Sequence, residues 1–409
     1  MPGVALGSDF RRLWTAYAVS EFGTALSMGA LPLIATLVLH SPVLRVSLLS
    51  ALSVLAGAAL AVPLGPWIEF RRKRPVMIAA DLVRFGALAS IPLAAAAGML
   101  SYGQLCLVAV AQAAGGIVFT AASGAHLKAL VPVAGRDAAN ARFEGTFWTA
   151  HSIGPPLGGV LISWLGATTT VALDAVSFLL SALGVRRLRT PEPAPPRHPE
   201  PGRLGEITAG WRYILGHREL RALYWNSLLF GGGVMAAAPL LAVRMLSELH
   251  FPPWQYGLAL GVPCLGGVAG AALVRPLSRR YGQRPMLLLF GVSRAVWLGL
   301  LPFASAGLDG LVLVIAAESM LLISAGAFNP MFFSFRLAAT ADGYVSRVIA
   351  AWSISSRTAQ PICIAIGGVL AALLGTRLSM GLSALVVAAS VAVLPWRSVR
   401  PAVLARPVR

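Results

Sequence analysis

Five carboxylic acids, Glu21, Asp81, Glu144, Asp174 and Glu318, fall within segments long enough to span a bilayer. An acid near the centre of a membrane helix costs roughly 2.5–3.5 kcal/mol on insertion scales, so each needs an ion-pair partner, a water-filled cavity or a proton. Proton uptake and release, or charge pairing, is therefore the chemistry on offer. Glu21 shares a helical face with Tyr17, Thr24 and Met28 by three-to-four spacing, and Glu318 with Leu322, Ala325, Asn329 and Phe332. Basic partners are concentrated at Arg71, Arg72, Lys73 and Arg74, with Arg84 further along the same segment. His126 and His151 read as packing or hydrogen-bonding residues, and His151, near Trp148, also as a substrate or proton contact. No nucleophile triad, phosphate-cradling glycine loop or nucleotide motif stands out, so no catalytic site and no cofactor is expected. Cys106, Cys264 and Cys363 lie in apolar runs with neither metal-ligand spacing nor an even count for disulfides, and read as packing residues.

The segments that must position these groups are helices. The chain is 57% hydrophobic and only 12% charged, with mean hydropathy +0.76, against about 25% charged in ordinary soluble domains. Twelve apolar runs of roughly 20 residues can each cross the hydrocarbon core as a helix, and the first is too long for a signal peptide. The expected class is an all-α membrane protein of twelve spans in two six-helix bundles. One composition break, RRLRTPEPAPPRHPEPG at 186–202, is too proline-rich for a helix. The expected divisions are a first bundle at 1–188, a linker at 189–219, a second bundle at 220–397 and a tail at 398–409. Within the linker, Ile207, Trp211, Ile214 and Leu215 recur at helical spacing, which suits a helix lying on the membrane surface or a solvated stub of the next span.

The halves repeat. Pro66, Arg74, Pro75, Arg84, Leu88 and Pro92 recur 210 residues later as Pro276, Arg284, Pro285, Arg294, Leu298 and Pro302. The glycine pair Gly158-Gly159 recurs as Gly367-Gly368. Threading the twelve spans alternately leaves Arg45, Arg244 and Arg377 on one side and the rest of the 33 basic residues on the other. This positive-inside bias predicts that both termini and the linker are cytoplasmic in a multi-pass cell-membrane protein. It also accounts for the net charge of +18 by topology and attraction to the lipid bilayer, not nucleic acid.

Two parallel six-helix halves, a central linker and a duplicated arginine loop resemble the major facilitator superfamily. Its loop motif is matched by Gly65, Glu69 and the basic pair Lys73-Arg74, with Arg72 in place of a turn glycine; the second copy keeps Gly282 and Arg284 but has Arg279 for the acid. Gly154-Pro155-Pro156-Leu157-Gly158-Gly159, with Gly145 ahead, resembles the motif of drug and proton antiporters. Glycines let a neighbouring helix approach, and proline bends the helix. The first span, the Asp81 and Arg84 pair, and Asp174 with Phe178 resemble the branch that includes macrolide and siderophore exporters. Ala111 stands near the place of the antiporters' arginine motif, and Thr24 stands where many of that branch have aspartate.

The resemblance implies that spans 1, 4, 7 and 10 line a central cavity, so Tyr17, Glu21, Thr24, Gln112, Phe119, Asn226, Glu318 and Asn329 become its expected lining. Asp174 is expected to bond to span 5 or 3. Asp81 and Glu144 are expected to form an ion-pair cluster with Arg71, Arg74 and Arg84 at a cytoplasmic gate, with Arg294 the second copy's counterpart of Arg84. The implied activity is proton-coupled efflux of a hydrophobic or amphipathic small molecule by a monomer. A lipid or lysophospholipid flipper, a transport-inactive scaffold or sensor, and a membrane-embedded enzyme are the alternatives.

Overall fold

A computed structural model describes residues 7–132, 135–190, 192, 204–341 and 344–396, and for some helical residues, including Gly65 and Glu69, the backbone alone. The expectations for Gly65 and Glu69, for most of the proline-rich linker, for Ile207 and for the tail lie outside the described residues. The long helices are α1 Ser8–Val38, α2 Val43–Glu69, α3 Lys73–Ala96, α4 Tyr102–Leu130, α5 Arg136–Leu165 and α6 Ala167–Arg186. They continue as α7 Arg218–Glu248, α8 Pro253–Tyr281, α9 Gln283–Phe303, α10 Leu308–Ala338, α11 Val345–Leu374 and α12 Thr376–Val393. Among the described residues there is no strand, and eleven helices are long and apolar enough to cross a membrane. The exception, α5, carries Arg136, Asp137, Arg142 and Glu144 in its first half.

Two compact units result: Met1–Glu200 with Ala242–Val262, and Pro201–Leu241 with Pro263–Arg409. The end of α7 and the start of α8 therefore group with the first unit. Leu13, Met77 and Phe119 belong to the core of the first, and Leu223, Phe328 and Trp352 to that of the second.

The repeat extends to details of the backbone. Ile34–Val38 and Arg244–Glu248 are wide turns at an offset of 210. Leu39 N–H donates to the Ile34 carbonyl at 3.0 Å, and Leu249 to Arg244 at 2.8 Å. Each turn is ended by a histidine in the left-handed region, His40 at φ 45° and His250 at φ 53°. This is a cap that glycine usually provides and histidine adopts more readily than most side chains. Side-chain bonds recur as well. Trp14 Nε1 donates to Thr146 Oγ1 at 2.9 Å, tying α1 to α5, and the Tyr224 hydroxyl donates to Ser355 Oγ at 2.7 Å, tying α7 to α11.

The arginine loops have a definite job. The Arg74 guanidinium donates to the carbonyl of Arg186, the last residue of α6, and Arg284 Nη2 donates to the Trp396 carbonyl at 2.7 Å, beyond α12. Carbonyls at a helix end lack intrahelical partners, and a guanidinium there also suits the negative end of the helix dipole. Glu192 accepts from the N–H groups of Lys73 and Arg74 at the start of α3, the latter at 3.3 Å. Asp9 accepts from the Arg189 and Thr190 N–H groups at 2.8 and 2.6 Å. The described start of the linker is thus held to its own unit.

The linker helix Leu204–Gly216 departs from a position on the membrane surface alone. Ile214 is wholly buried, a Cβ at Gly210 would overlap the Arg347 carbonyl, and Trp211 Nε1 donates to Ser355 Oγ at 2.8 Å. Tyr213 stacks on Tyr344 with ring centroids 4.7 Å apart. Its apolar stripe is used against α11, which accounts for burial that a lipid-facing helix would not have.

Candidate functional site

Polar side chains from α1, α3, α4, α5 and α6 converge in the first unit. Arg84 is buried on α3. Its Nε donates to Gln112 Oε1 at 3.0 Å, Gln112 Nε2 donates back to the Arg84 carbonyl at 2.9 Å, and its Nη2 donates to Thr24 Oγ1 at 3.2 Å. The guanidinium also sits 3.8 Å from the centre of the Phe178 ring, a cation–π contact. Space for this arm comes from Gly115, where a Cβ would come within 2.5 Å of Arg84 Cγ. Asp174, Asp81 and Glu21 act on Arg84 electrostatically, yet among the described residues no ion pair joins them to it.

Asp174 is held from α1. Ser27 Oγ donates to its Oδ2 at 2.5 Å and Ser177 Oγ to its Oδ1 at 3.2 Å. The expected bond to α5 or α3 is corrected: α1 supplies the partner, because Gly23 lets α6 approach so closely that a Cβ there would lie 2.7 Å from Asp174 Oδ1.

Glu21 Oε1 lies 3.8 Å from His151 Nδ1. The same Nδ1 is 3.0 Å from the Phe147 carbonyl oxygen, and since a carbonyl only accepts, Nδ1 carries the proton of that bond. The ring stacks on Phe147 at 4.0 Å, which fixes its plane. Thr24, Ser27, Arg84, Gln112, His151 and Asp174 line a cavity of about 360 Å³. A half-open space lined by a guanidinium, a carboxyl, an imidazole and hydroxyls can hold water or a polar group.

Of the expected lining, Thr24 and Gln112 meet here, with Glu21 adjoining through His151. Tyr17 packs against Phe143, with ring centroids 4.5 Å apart and planes tilted by 33°. Phe119 does not join them; it is buried in the core beside Leu13 and Met77. In the second unit Asn226 is wholly buried and is corrected from lining to latch. Its Nδ2 donates to the Ser390 carbonyl at 2.8 Å, while Arg294 Nη2 donates to its Oδ1 at 2.5 Å. Arg294 is packed between Phe230 and Phe328, 4.0 and 3.6 Å from the ring centres. Glu318 is half-buried near Cys264, and Asn329 is exposed.

Among the described residues no ion pair joins Asp81 or Glu144 to Arg74 or Arg84, so the expected cluster is corrected there. Arg74 is taken by the Arg186 carbonyl and Arg84 by Gln112 and Thr24. Glu144 is exposed, and Asp81 is wholly buried beside the Ser181 hydroxyl of α6.

The glycine motif of α5 makes close contacts. A Cβ at Gly154 would come within 2.5 Å of Ala25 Cβ, and one at Gly158 would overlap the Leu26 carbonyl oxygen. One at Gly159 would lie 2.6 Å from the Pro253 carbonyl, while Gly257 packs back on Pro155. Gly145 differs: nothing lies within 4 Å of its Cβ position. The second half repeats the crossing less tightly: a Cβ at Gly367 would lie 3.0 Å from the Ala236 carbonyl oxygen.

Duplicated helical halves, intramembrane charges and a polar cavity define a multi-pass membrane protein of the transporter class. The chain belongs to the major facilitator superfamily, whose profile matches residues 13–344 and 223–409, and it is a transporter rather than an enzyme. It is similar to the multidrug efflux pump Tap of Mycobacterium tuberculosis, 24% identical over 311 residues that cover 74% of this chain and 73% of the relative. The Tap pump of Mycolicibacterium fortuitum is 23% identical over 327 residues, covering 78% and 76%. Among solved structures, a bacterial homologue of the iron transporter ferroportin in an inward-facing state aligns with TM-score 0.73 at 18% identity, covering 94% of this chain and 97% of that one. The nucleoside transporter NupG aligns with TM-score 0.73 at 10% identity, covering 96% and 100%. These two likenesses bear on the fold.

Proposed function

We propose that the chain is a proton-coupled exporter of hydrophobic or amphipathic small molecules, acting as a monomer by alternating access. The observation that carries this reading is the Glu21 carboxyl beside His151, with Arg84 close by, at a polar cavity inside a membrane bundle. Similarity to proteins named multidrug efflux pumps supports the substrate class and direction. Glu21, or Glu318 in the second unit, is the carboxyl that takes and releases the coupling proton, since a bare carboxylate in that setting is costly. Both termini and the linker face the cytoplasm.

A growth screen tests the reading. Cells lacking their own exporters, with and without the gene, are exposed to a panel of lipophilic cations, macrolides and dyes. Resistance to at least one class, abolished by a protonophore, is expected. Sensitivity identical in the two strains across the panel, with the protein in the membrane, would contradict efflux.

A further inference from the structure

The second unit carries a groove of about 990 Å³ between α9 and α12 that plays no part in the polar cavity. Its volume is at the upper end of the roughly 300–1,000 Å³ of small-molecule sites. Val296, Phe303 and Leu385 form exposed apolar walls. Gly299 and Gly381 form the floor, and a Cβ at either would meet nothing within 4 Å. The end of α9, Trp297–Phe303, winds as a tighter 3₁₀ helix around Pro302, which narrows it.

Arg377 is the one charged residue in the lining. It is exposed, in the first turn of α12, with its guanidinium 5.7 Å from the centre of the Phe303 ring. No ion pair to it occurs among the described residues. The arrangement is not a requirement of the duplicated fold. At the matching offsets Gly299 and Phe303 correspond to Ala89 and Leu93, and Arg377 and Gly381 to Thr168 and Ala172.

We propose that this groove binds one molecule of an anionic phospholipid, with its phosphate on Arg377 and an acyl chain along Val296, Gly299, Gly381 and Leu385. The apolar trough alone would accept the chain of any lipid. Charge complementarity chooses the occupant: a guanidinium matches phosphate geometry and is weakly hydrated, and the positive end of the α12 dipole acts in the same direction. The site is distinct from the transport pathway, and its test does not depend on efflux.

The full-length protein, delipidated in detergent, is titrated with phosphatidylglycerol or with phosphatidylcholine of the same chains, reading bound lipid by native mass spectrometry and Tm. The wild type is expected to retain one phosphatidylglycerol in preference to phosphatidylcholine. Arg377→Gln should weaken phosphatidylglycerol about fivefold and erase the preference. Gly381→Leu and Gly299→Leu each add a side chain whose Cβ has open space around it, and should lose the bound lipid of either headgroup. Two filling variants at separate helices keep the test valid if one misfolds. Equal retention of the two lipids by the wild type, or undiminished phosphatidylglycerol binding in Arg377→Gln and a folded filling variant, overturns the proposal.

Discussion

Arg84 and Gln112 hold one another reciprocally, each side chain bonded to the other residue, the arginine through Gln112 Oε1 and the glutamine through the Arg84 carbonyl. This pair locks α3 to α4 at the polar cavity and fixes the guanidinium between Thr24 and Phe178. Gln112→Leu keeps the volume and removes both bonds. Hydrogen bonds to charged groups contribute about 1.5–3 kcal/mol each, so a Tm drop of several degrees and at least tenfold slower transport are expected. Gln112→Glu keeps the acceptor for Arg84 Nε but loses the donor to the Arg84 carbonyl, and should recover only part of the stability. Unchanged Tm in Gln112→Leu would remove the pair's structural role.

The glycines of α5 should separate by environment. Gly158→Leu would drive its side chain into the Leu26 backbone, an overpacking that costs about 1–3 kcal/mol or more, and should abolish transport in protein still inserted in the membrane. Gly145→Leu meets open space and should leave transport within about twofold. Equal effects of the two, measured as efflux per membrane-inserted protein, would mean that close helix contact is not what the motif supplies.

The topology predicts that a cysteine placed between 193 and 200, in a variant lacking Cys106, Cys264 and Cys363, stays unlabelled by an impermeant thiol reagent in intact cells. It should label once the cells are opened. Ready labelling in intact cells would invert the charge-sorting argument.

Much of the architecture is written in the chain, and some of the site is not. Apolar runs and the 210-residue offset mark helices and halves because both are long-range patterns. The wide turns at His40 and His250 escape such a reading, since a single histidine in the left-handed region leaves no periodic signal. Three-to-four spacing places Glu21 and Thr24 on one face, but helix phase alone does not separate a cavity residue from a core residue. Phe119 and Asn226 therefore read as lining, yet one packs on Met77 and the other binds Arg294. Proximity along the chain likewise suggests an ion-pair cluster, whereas Arg74 finds a backbone carbonyl that no sequence motif marks. Gly154 and Gly158 were legible because only small residues permit such a crossing.

The proton assignment is tested most directly by reconstituting the wild type, Glu21→Gln, Glu318→Gln and the double variant in vesicles and following pH-driven uphill transport of a substrate from the growth screen, alongside exchange without a gradient. Glutamine keeps shape and hydrogen bonding but carries no titrating proton. At least one single variant, and the double variant, should lose uphill transport and its pH dependence while keeping substrate exchange. Uphill transport by the double variant with the wild-type pH dependence would contradict the assignment and place the coupling proton elsewhere.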